Sequence, residues 1–379
     1  MSEIVIRRVA NARERRTFLT FPWRIYRGDP LWVPPLLPER EKVIDPRRGA
    51  WFEQGDAEFF IAWRGGEPVG TICCAEDRAS HAAHPWKDAV IGFFECVEDE
   101  AVARALFDHA AGWARGRGLD ALLGPFNLDY EDAYGVLIEG RDRPPAILCG
   151  HTPAYYRGFF EAYGFEPARG DNLAFAIDLD LAAPPMQRLA RLAERVRSRG
   201  RYRVRGADLA HWDEEAGRIL VMLNRCLAHL PGFVPWQRAA LDALLAAFKE
   251  IADPELILFA ETAGGEAVGW FPGIPNLNEA FIHAGGMRYP WQYAALLWHM
   301  RRPRACIAIK SVLVLPEHWD TGVAVLLFDE MARRATSRGY RWADLSLTSD
   351  DNPRTPELAA HLGCHIYKRY RVYRKWLAA

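Results

Sequence analysis

Two short phrases recur at one fixed distance along the chain, and that distance constrains the fold more than any other feature. Gly70 closes GGEPVG and Gly269 closes GGEAVG, while Gly164 lies in EAYGF and Gly363 in AHLGC; each pair is 199 residues apart. A third pair, Gly118 in GRG and Gly339 in SRG, is 221 apart. The second copy therefore carries extra residues before its central helix and fewer after it, and the extra segment is 276–303. A chain of 379 residues also exceeds what one core usually holds, about 250–300 residues. Two similar domains follow.

Each copy alternates strand and helix signals. In the first, strands are expected at 4–9, in a hairpin at 58–74 around Gly65-Gly66, and at 90–97, 121–127 and 173–179. Helices are expected at 11–27, 100–118 and 153–165, the last two closed by glycine. The second copy repeats the grammar: a strand at 201–206, helices near 210–229 and 236–251, and a hairpin at 256–274. A strand at 306–316, a helix at 322–339, a strand at 342–348, a short helix at 356–363 and terminal strands complete it. The fold class is α+β, two domains each built on a mixed, mostly antiparallel sheet flanked by helices. The expected boundaries are 1–183, a connector helix at 184–200, and 201–379 with the helical insertion 276–303.

Charge and cysteine usage narrow the function. The formal net charge is −1, with arginines interspersed among acids, so no electrostatic footprint for nucleic acid is present. The first residues, MSEIVIRRVA, contain no apolar signal core, and no run of about 18 apolar residues suits a membrane span. Seven cysteines without a C-x-x-C pair fit neither a disulfide scaffold nor a zinc site, and no metal is expected. The expected location is the cytoplasm, with peripheral contact at the inner membrane.

One junction carries a chemical signal. VLVLPEHWDTGVAVLL, 312–327, runs from strand through a single glycine into an apolar helix, the arrangement that presents backbone N–H groups to phosphate. A plain strand–turn–helix is the alternative. Its counterpart in the first copy, ECVEDEAVARAL, has no glycine, and Glu95, Glu98, Asp99 and Glu100 surround the helix start. Those acids suit the helix dipole and repel a pyrophosphate.

The whole element order resembles the acyl-CoA-dependent N-acetyltransferase (GNAT) superfamily, here in tandem. The resemblance places a CoA-binding loop at 312–327, with Val312, Val314, Trp319, Thr321, Gly322, Val323 and Ala324 as cofactor-binding residues and Asn352 beside the pantetheine arm. It implies acetyl-CoA, a longer acyl-CoA or an acyl-phosphopantetheine carrier as cofactor. Trp319 stands where that family usually has Arg or Gln. On this reading Gly322→Glu abolishes CoA binding and leaves the fold intact. FPWRIYRGDPLWVPPL, DPRRGAWFEQGDAEFFIA, GPFNLDYEDAYGVLIEG, HTPAYY, LPGFVP, IPNLNEA and YKRYRVYRK together resemble a narrower bacterial family of tandem acetyltransferase-like proteins. Some bacterial ceramide synthases, acyl-CoA:sphingoid-base N-acyltransferases, are similar to it. The implied activity is acyl transfer to a primary amine, with a small-molecule or lipid, sphingoid-type amine as acceptor.

Such transfer needs a proton acceptor for the amine and a donor for the thiolate. Many superfamily members place a tyrosine four residues before the glycine of the last short helix, but Phe160 and Ala359 stand there. Asn127, Asp132, His151, Tyr155 and Tyr156, polar and aromatic residues in loops of an otherwise apolar half, are the catalytic candidates. Each has a plainer reading as a turn cap, solvated acid or buried imidazole. A pseudoenzyme that holds acyl-CoA or lipid without turnover is the alternative function. A transferase using aminoacyl-tRNA is disfavoured by the near-neutral charge. MRYPWQYAALLWHM, 287–300, is apolar nearly all round and is followed by RRPR, so 287–304 is either a buried helix or a lipid-facing one.

Overall fold

A computed structural model describes residues 3–128, 132–229, 233–249, 252–351, 359–360 and 362–377. Its contacts divide the chain into two compact units that do not follow chain order. Unit 1 comprises Met1–Asn172, Asn278–Arg301 and Lys368–Ala379; unit 2 comprises Leu173–Leu277 and Arg302–Tyr367.

Sixteen strands are present among the described residues. They are β1 (Ile4–Arg8), β2 (Gly55–Arg64), β3 (Glu67–Asp77), β4 (Asp88–Cys96), β5 (Ala121–Gly124), β6 (Val136–Glu139), β7 (Glu166–Pro167) and β8 (Asn172–Asp178). The second half adds β9 (Tyr202–Gly206), β10 (Ile257–Thr262), β11 (Ala267–Pro275), β12 (Cys306–Ile309), β13 (Leu313–Val314), β14 (Trp342–Ser349), β15 (His365–Arg371) and β16 (Tyr373–Trp376). The principal helices are α1 (Ala12–Thr20), α2 (Leu37–Val43), α3 (Glu100–Arg115), α4 (Tyr155–Tyr163), α5 (Pro184–Arg197), α6 (Trp212–Leu227), α7 (Arg238–Lys249), α8 (Pro290–Met300) and α9 (Val323–Ser337).

Unit 1 holds a sheet in the order β1-β2-β3-β4-β5-β16-β7. Unit 2 orders its strands β8-β14-β12-β11-β10-β9, with β13 on β11. Each unit has one parallel pair, β4 with β5 and β12 with β14, while the other registered pairs among the described residues are antiparallel. Each unit therefore takes a strand from the other half of the sequence: β16 joins unit 1 between β5 and β7, and β8 joins unit 2. Residues 184–200, expected as a connector, form α5, and Arg197 on it donates to Asp329 on α9 at 3.0 Å inside unit 2. Of the expected insertion 276–303, residues Asn278–Arg301 belong to unit 1, not to the unit that holds most of the second half.

The repeated glycines now have a physical cause. A Cβ at Gly70 would lie 2.8 Å from Leu106 Cδ1 on α3, and one at Gly269 would lie 2.9 Å from Leu327 Cδ1 on α9. In both copies the glycine lets the helix settle onto the strand. α3 starts at Asp99, whose side chain accepts from the Ala101 N–H at 2.9 Å. It buries Val102, Ala103, Leu106, Phe107, Ala110 and Ala114 at helical spacing against Ile72, Ile91 and Phe94. Burying a side chain such as Leu106 or Phe107 contributes about 1.5–3 kcal/mol. Unit 2 repeats this with Val323, Leu327, Met331 and Ala335 of α9 against Phe259, Phe271 and Ile307. Gly164 and Gly363 close equivalent left-handed caps, with Phe165 N–H on Phe160 O and Cys364 N–H on Ala359 O.

Candidate functional site

In unit 2 the parallel ladder of β12 and β14 runs from Cys306–Trp342 to Ile309–Leu345. The expected single strand at 306–316 then breaks, and β13 resumes by pairing Leu313 and Val314 with Trp270 and Gly269 of β11. β13 leaves β14 at this point, so the sheet opens. Val312 is exposed, whereas Leu313 and Val314 are buried.

Residues Pro316–Thr321 form a 3-10 turn, and Gly322, at φ 91°, starts α9. That left-handed backbone favours glycine, and a Cβ there would lie 2.5 Å from Val196 Cγ2. Gly322→Glu therefore displaces α5 as well as adding charge, and the expectation of an intact fold does not hold for it. No side chain caps α9. Its first i→i−4 bond runs from Leu326 N–H to Gly322 O at 3.1 Å. The N–H groups of Val323, Ala324 and Val325 precede that bond, the part of a helix that binds anions.

Trp319 does not take the place of a cation in this loop. Its Nε1 donates to Val314 O at 2.7 Å and its ring meets His229 edge to face, so it braces the turn against its own strand. Thr321 Oγ1 donates to His318 O at 2.7 Å. Glu317, the acid that would oppose a phosphate, is paired with Arg225 at 2.8 Å. Asn352 lies outside the described residues. Where the strand breaks, Lys310 Nζ reaches Asp344 Oδ2 at 3.0 Å and Ser346 Oγ at 2.8 Å, and Tyr367 Oη donates to Asp344 Oδ1 at 2.6 Å. No sequence pattern marks this cluster, because Lys310 and Asp344 read as ordinary strand residues.

In unit 1 the corresponding ladder, Asp88–Ala121 to Val90–Leu123, also ends early. Here the chain itself occupies the space beside β4. Phe126 N–H donates to Ile91 O at 3.1 Å, and a Cβ on Gly92 would lie 1.9 Å from Phe126 O. Asn127 Oδ1 accepts the N–H of Phe93, a bulged residue at φ 46°, at 2.8 Å. The helix start is closed as well, since Asp99 caps it and also accepts from Arg64 at 2.8 Å. The Arg64 bond holds the Asp99 carboxyl below the usual carboxylate range.

The remaining catalytic candidates converge in unit 1. His151 Nε2 meets Asp29 Oδ2 at 2.8 Å, while His151 Nδ1 is buried without a hydrogen-bond partner among the described residues. Burial lowers the His151 pKa, against the raising effect of Asp29. The imidazole is therefore neutral at pH 7, and with Nε2 donating to the carboxylate, Nδ1 carries the lone pair. Tyr26 Oη donates to His151 O at 2.8 Å and lies 3.5 Å from Glu95 Oε1. Tyr156 Oη donates to Glu95 Oε2 at 2.7 Å and accepts from Cys96 N–H at 2.8 Å, and Tyr155 Oη donates to Cys96 O. Burial pushes the Glu95 carboxyl up to about 8, against the lowering bonds from Tyr156 and Tyr26.

Asp132 forms a two-point ion pair with Arg40, whose guanidinium lies over the Phe93 ring. Asn127 and Asp132 thus hold the segment beside β4, while His151, Tyr155 and Tyr156 line the polar network. Tyr26, Asp29 and Glu95 complete that network and were missed as members. Their only sequence signal was the FPWRIYRGDP segment and a glutamate read as a deterrent to phosphate. Phe160 and Ala359 are both buried, so neither copy has a tyrosine at the expected position.

Two units, each with a parallel pair that opens before a central helix, have the fold of tandem GNAT proteins, and comparison with solved structures agrees. A tandem GNAT protein from the clavulanic acid biosynthesis pathway superposes with a TM-score of 0.61 at 15% identity, covering 100% of this chain and 99% of that one. A GCN5-related N-acetyltransferase from Sphaerobacter thermophilus superposes with a TM-score of 0.52 at 15% identity, covering 99% and 96%. No family model matches. Among curated proteins, the bacterial ceramide synthase of Caulobacter vibrioides is 30% identical over 378 residues, covering 97% of this chain and 96% of that protein. Protein YghO of Escherichia coli is 26% identical over 380 residues, covering 98% and 95%. The chain belongs to the family of the bacterial ceramide synthase, and its fold is that of the tandem GNAT structures.

Proposed function

We propose that the protein is an acyl-CoA-dependent N-acyltransferase that moves an acyl group onto a primary amine, with a lipid amine of sphingoid type as the favoured acceptor. The observation that carries the reading is the uncapped start of α9 behind the left-handed Gly322, at the point where β13 leaves β14. The N–H groups of Val323, Ala324 and Val325 suit a CoA pyrophosphate. The edge of β13 left unpaired with β14 suits the amide groups of a pantetheine arm. An acyl-phosphopantetheine carrier offers the same arm. The bound thioester supplies the activated acyl group.

Two roles are assigned separately, each from its own unit. The unit 2 loop retains the cofactor. In unit 1, His151 Nδ1 offers a lone pair suited to accepting a proton, held in orientation by Asp29 as in other carboxylate–histidine pairs. Tyr26, Tyr156 and the protonated Glu95 fix the surrounding backbone. The lipid preference rests on the ceramide synthase relative. Thiol release from acyl-CoA, followed across a panel of sphingoid and short-chain amines, tests the reading. Release that depends on a long-chain amine supports it, and no release with any amine overturns it.

A second reading follows from Phe160 and Ala359, which remove the superfamily's usual proton donor: a protein that binds acyl-CoA or lipid without turnover. CoA binding by calorimetry without thiol release separates the two.

A further inference from the structure

The insertion 276–303 has no role in the chemistry above, and its helix is turned inside out relative to a water-facing helix. α8 has no buried residue. At about 100° per residue, Tyr293, Leu297, Arg301, Ala294, Trp298 and Trp291 fall on one arc of about 160°, and all of them are exposed. Trp291 is 67% exposed, Trp298 62% and Leu297 58%. The opposite arc, Gln292, Ala295, Leu296, His299 and Met300, is half-buried. Soluble helices place polar residues outward, and a contiguous exposed apolar patch marks an interaction site. Just before the helix, Tyr289 is also 44% exposed and stacks on Trp291 at 4.8 Å.

Charge identifies what such a face meets. From Ala280 to Pro316 the sequence contains no acidic residue, yet Arg288, Arg301, Arg302 and Arg304 bracket the aromatic stretch. In a chain whose net charge is −1, this is a local cationic end beside an aromatic face. Tryptophan and tyrosine prefer the boundary between headgroups and acyl chains, and arginines beside them attract anionic headgroups. Because arginines stand at both ends of the helix and no acid lies between, a second copy docking about a two-fold axis would set arginine against arginine in either helix orientation, which charge disfavours. No helix among the described residues is long and apolar enough to cross a membrane, so the contact is one of lying on the surface.

We propose that α8 docks the protein on an anionic lipid bilayer, its Trp291–Trp298 face in the interface and its arginines on the headgroups. This goes beyond the acyl-transfer reading and does not depend on it. The test is co-sedimentation of the full chain with phosphatidylcholine vesicles, with and without phosphatidylglycerol, in the absence of any CoA compound or amine. Binding is expected only with phosphatidylglycerol and is expected to weaken with salt. Trp291→Ser combined with Trp298→Ser should weaken it at least tenfold. Arg301→Gln combined with Arg302→Gln should weaken it about 30-fold and flatten the salt dependence. Unchanged circular dichroism and melting in both variants show that these exposed changes leave the fold alone. Vesicle binding that both variants leave unchanged overturns the proposal, as does no binding at all. A concentration-dependent dimer that the tryptophan variant abolishes, without vesicle binding, assigns the face to a second copy instead.

Discussion

The same junction occurs twice in this chain with opposite outcomes. Before α3 the helix start is sealed: Asp99 takes the Ala101 N–H, Arg64 holds Asp99, and Phe126 with Asn127 lies along the bulged strand β4. Before α9 the glycine provides no cap, the nearby acid Glu317 is tied to Arg225, and β13 departs from β14. The packing beneath is alike, with Gly70 under Leu106 and Gly269 under Leu327. A duplicated scaffold therefore keeps its core contacts in both copies while one helix start is capped and the other is not. Core packing and ligand binding make separate demands on the same element.

Substitutions can break this comparison, and the largest effect is expected in the proton chemistry. His151→Gln keeps a donor for Asp29 and removes the Nδ1 lone pair, so kcat should fall about 10²–10⁴-fold with little change in CoA affinity, read in steady-state assays and calorimetry. The wild-type rate should also fall in acid, with an apparent pKa below 6.5, because burial lowers the His151 pKa. That limb should vanish in the variant.

Ala324→Asp places an anion in the first turn of α9, which suits the helix dipole and opposes a pyrophosphate. It should weaken CoA binding by about 10–100-fold, the loss of about 1.4–2.8 kcal/mol, with melting unchanged or raised. Ala101→Asp at the matching place in α3 should leave CoA binding untouched. Gly70→Ala and Gly269→Ala each force a methyl group against a leucine and should destabilise by about 1–3 kcal/mol, similarly in both units by denaturant unfolding. Asp99→Ala should cost about 1 kcal/mol of stability without creating a second CoA site.

Glu95 gives a related pH signature. Its folded pKa, about 8, lies above that of an unfolded carboxyl, so the native state binds the extra proton between the two values. Stability should decline as pH rises from about 4.5 toward 8 and then level off. Glu95→Gln should flatten that slope in melts across pH.

Much of the fold was legible because its signals are local or repeated. Matched glycines, amphipathic helices such as α3 and hairpins around Gly65-Gly66 are written in neighbouring residues, and they carried the α+β tandem reading. The division into units was not, since β8 and β16 read as ordinary terminal strands and nothing local says which sheet accepts them. The loop at 316–322 was legible through Pro316 and Gly322. The bracing contact of Trp319 was not legible because its partner is a backbone carbonyl, which sequence does not mark. His151 was legible as a loop histidine, whereas Asp29, Tyr26 and Glu95 lie 122, 125 and 56 residues away from it; Asp29 and Tyr26 meet it, and Glu95 joins through Tyr26, only through folding. The exposure of Trp291 and Trp298 was open in the sequence, where an apolar helix reads equally as core.

On the proposed function, one of the two junctions binds CoA and the other does not. Isothermal titration of CoA into the full chain tests it most directly, with the Ala324→Asp and Ala101→Asp variants titrated alongside. One CoA per chain is expected, lost or strongly weakened by Ala324→Asp and unchanged by Ala101→Asp. Two CoA per chain, no binding, or full affinity in Ala324→Asp would contradict it.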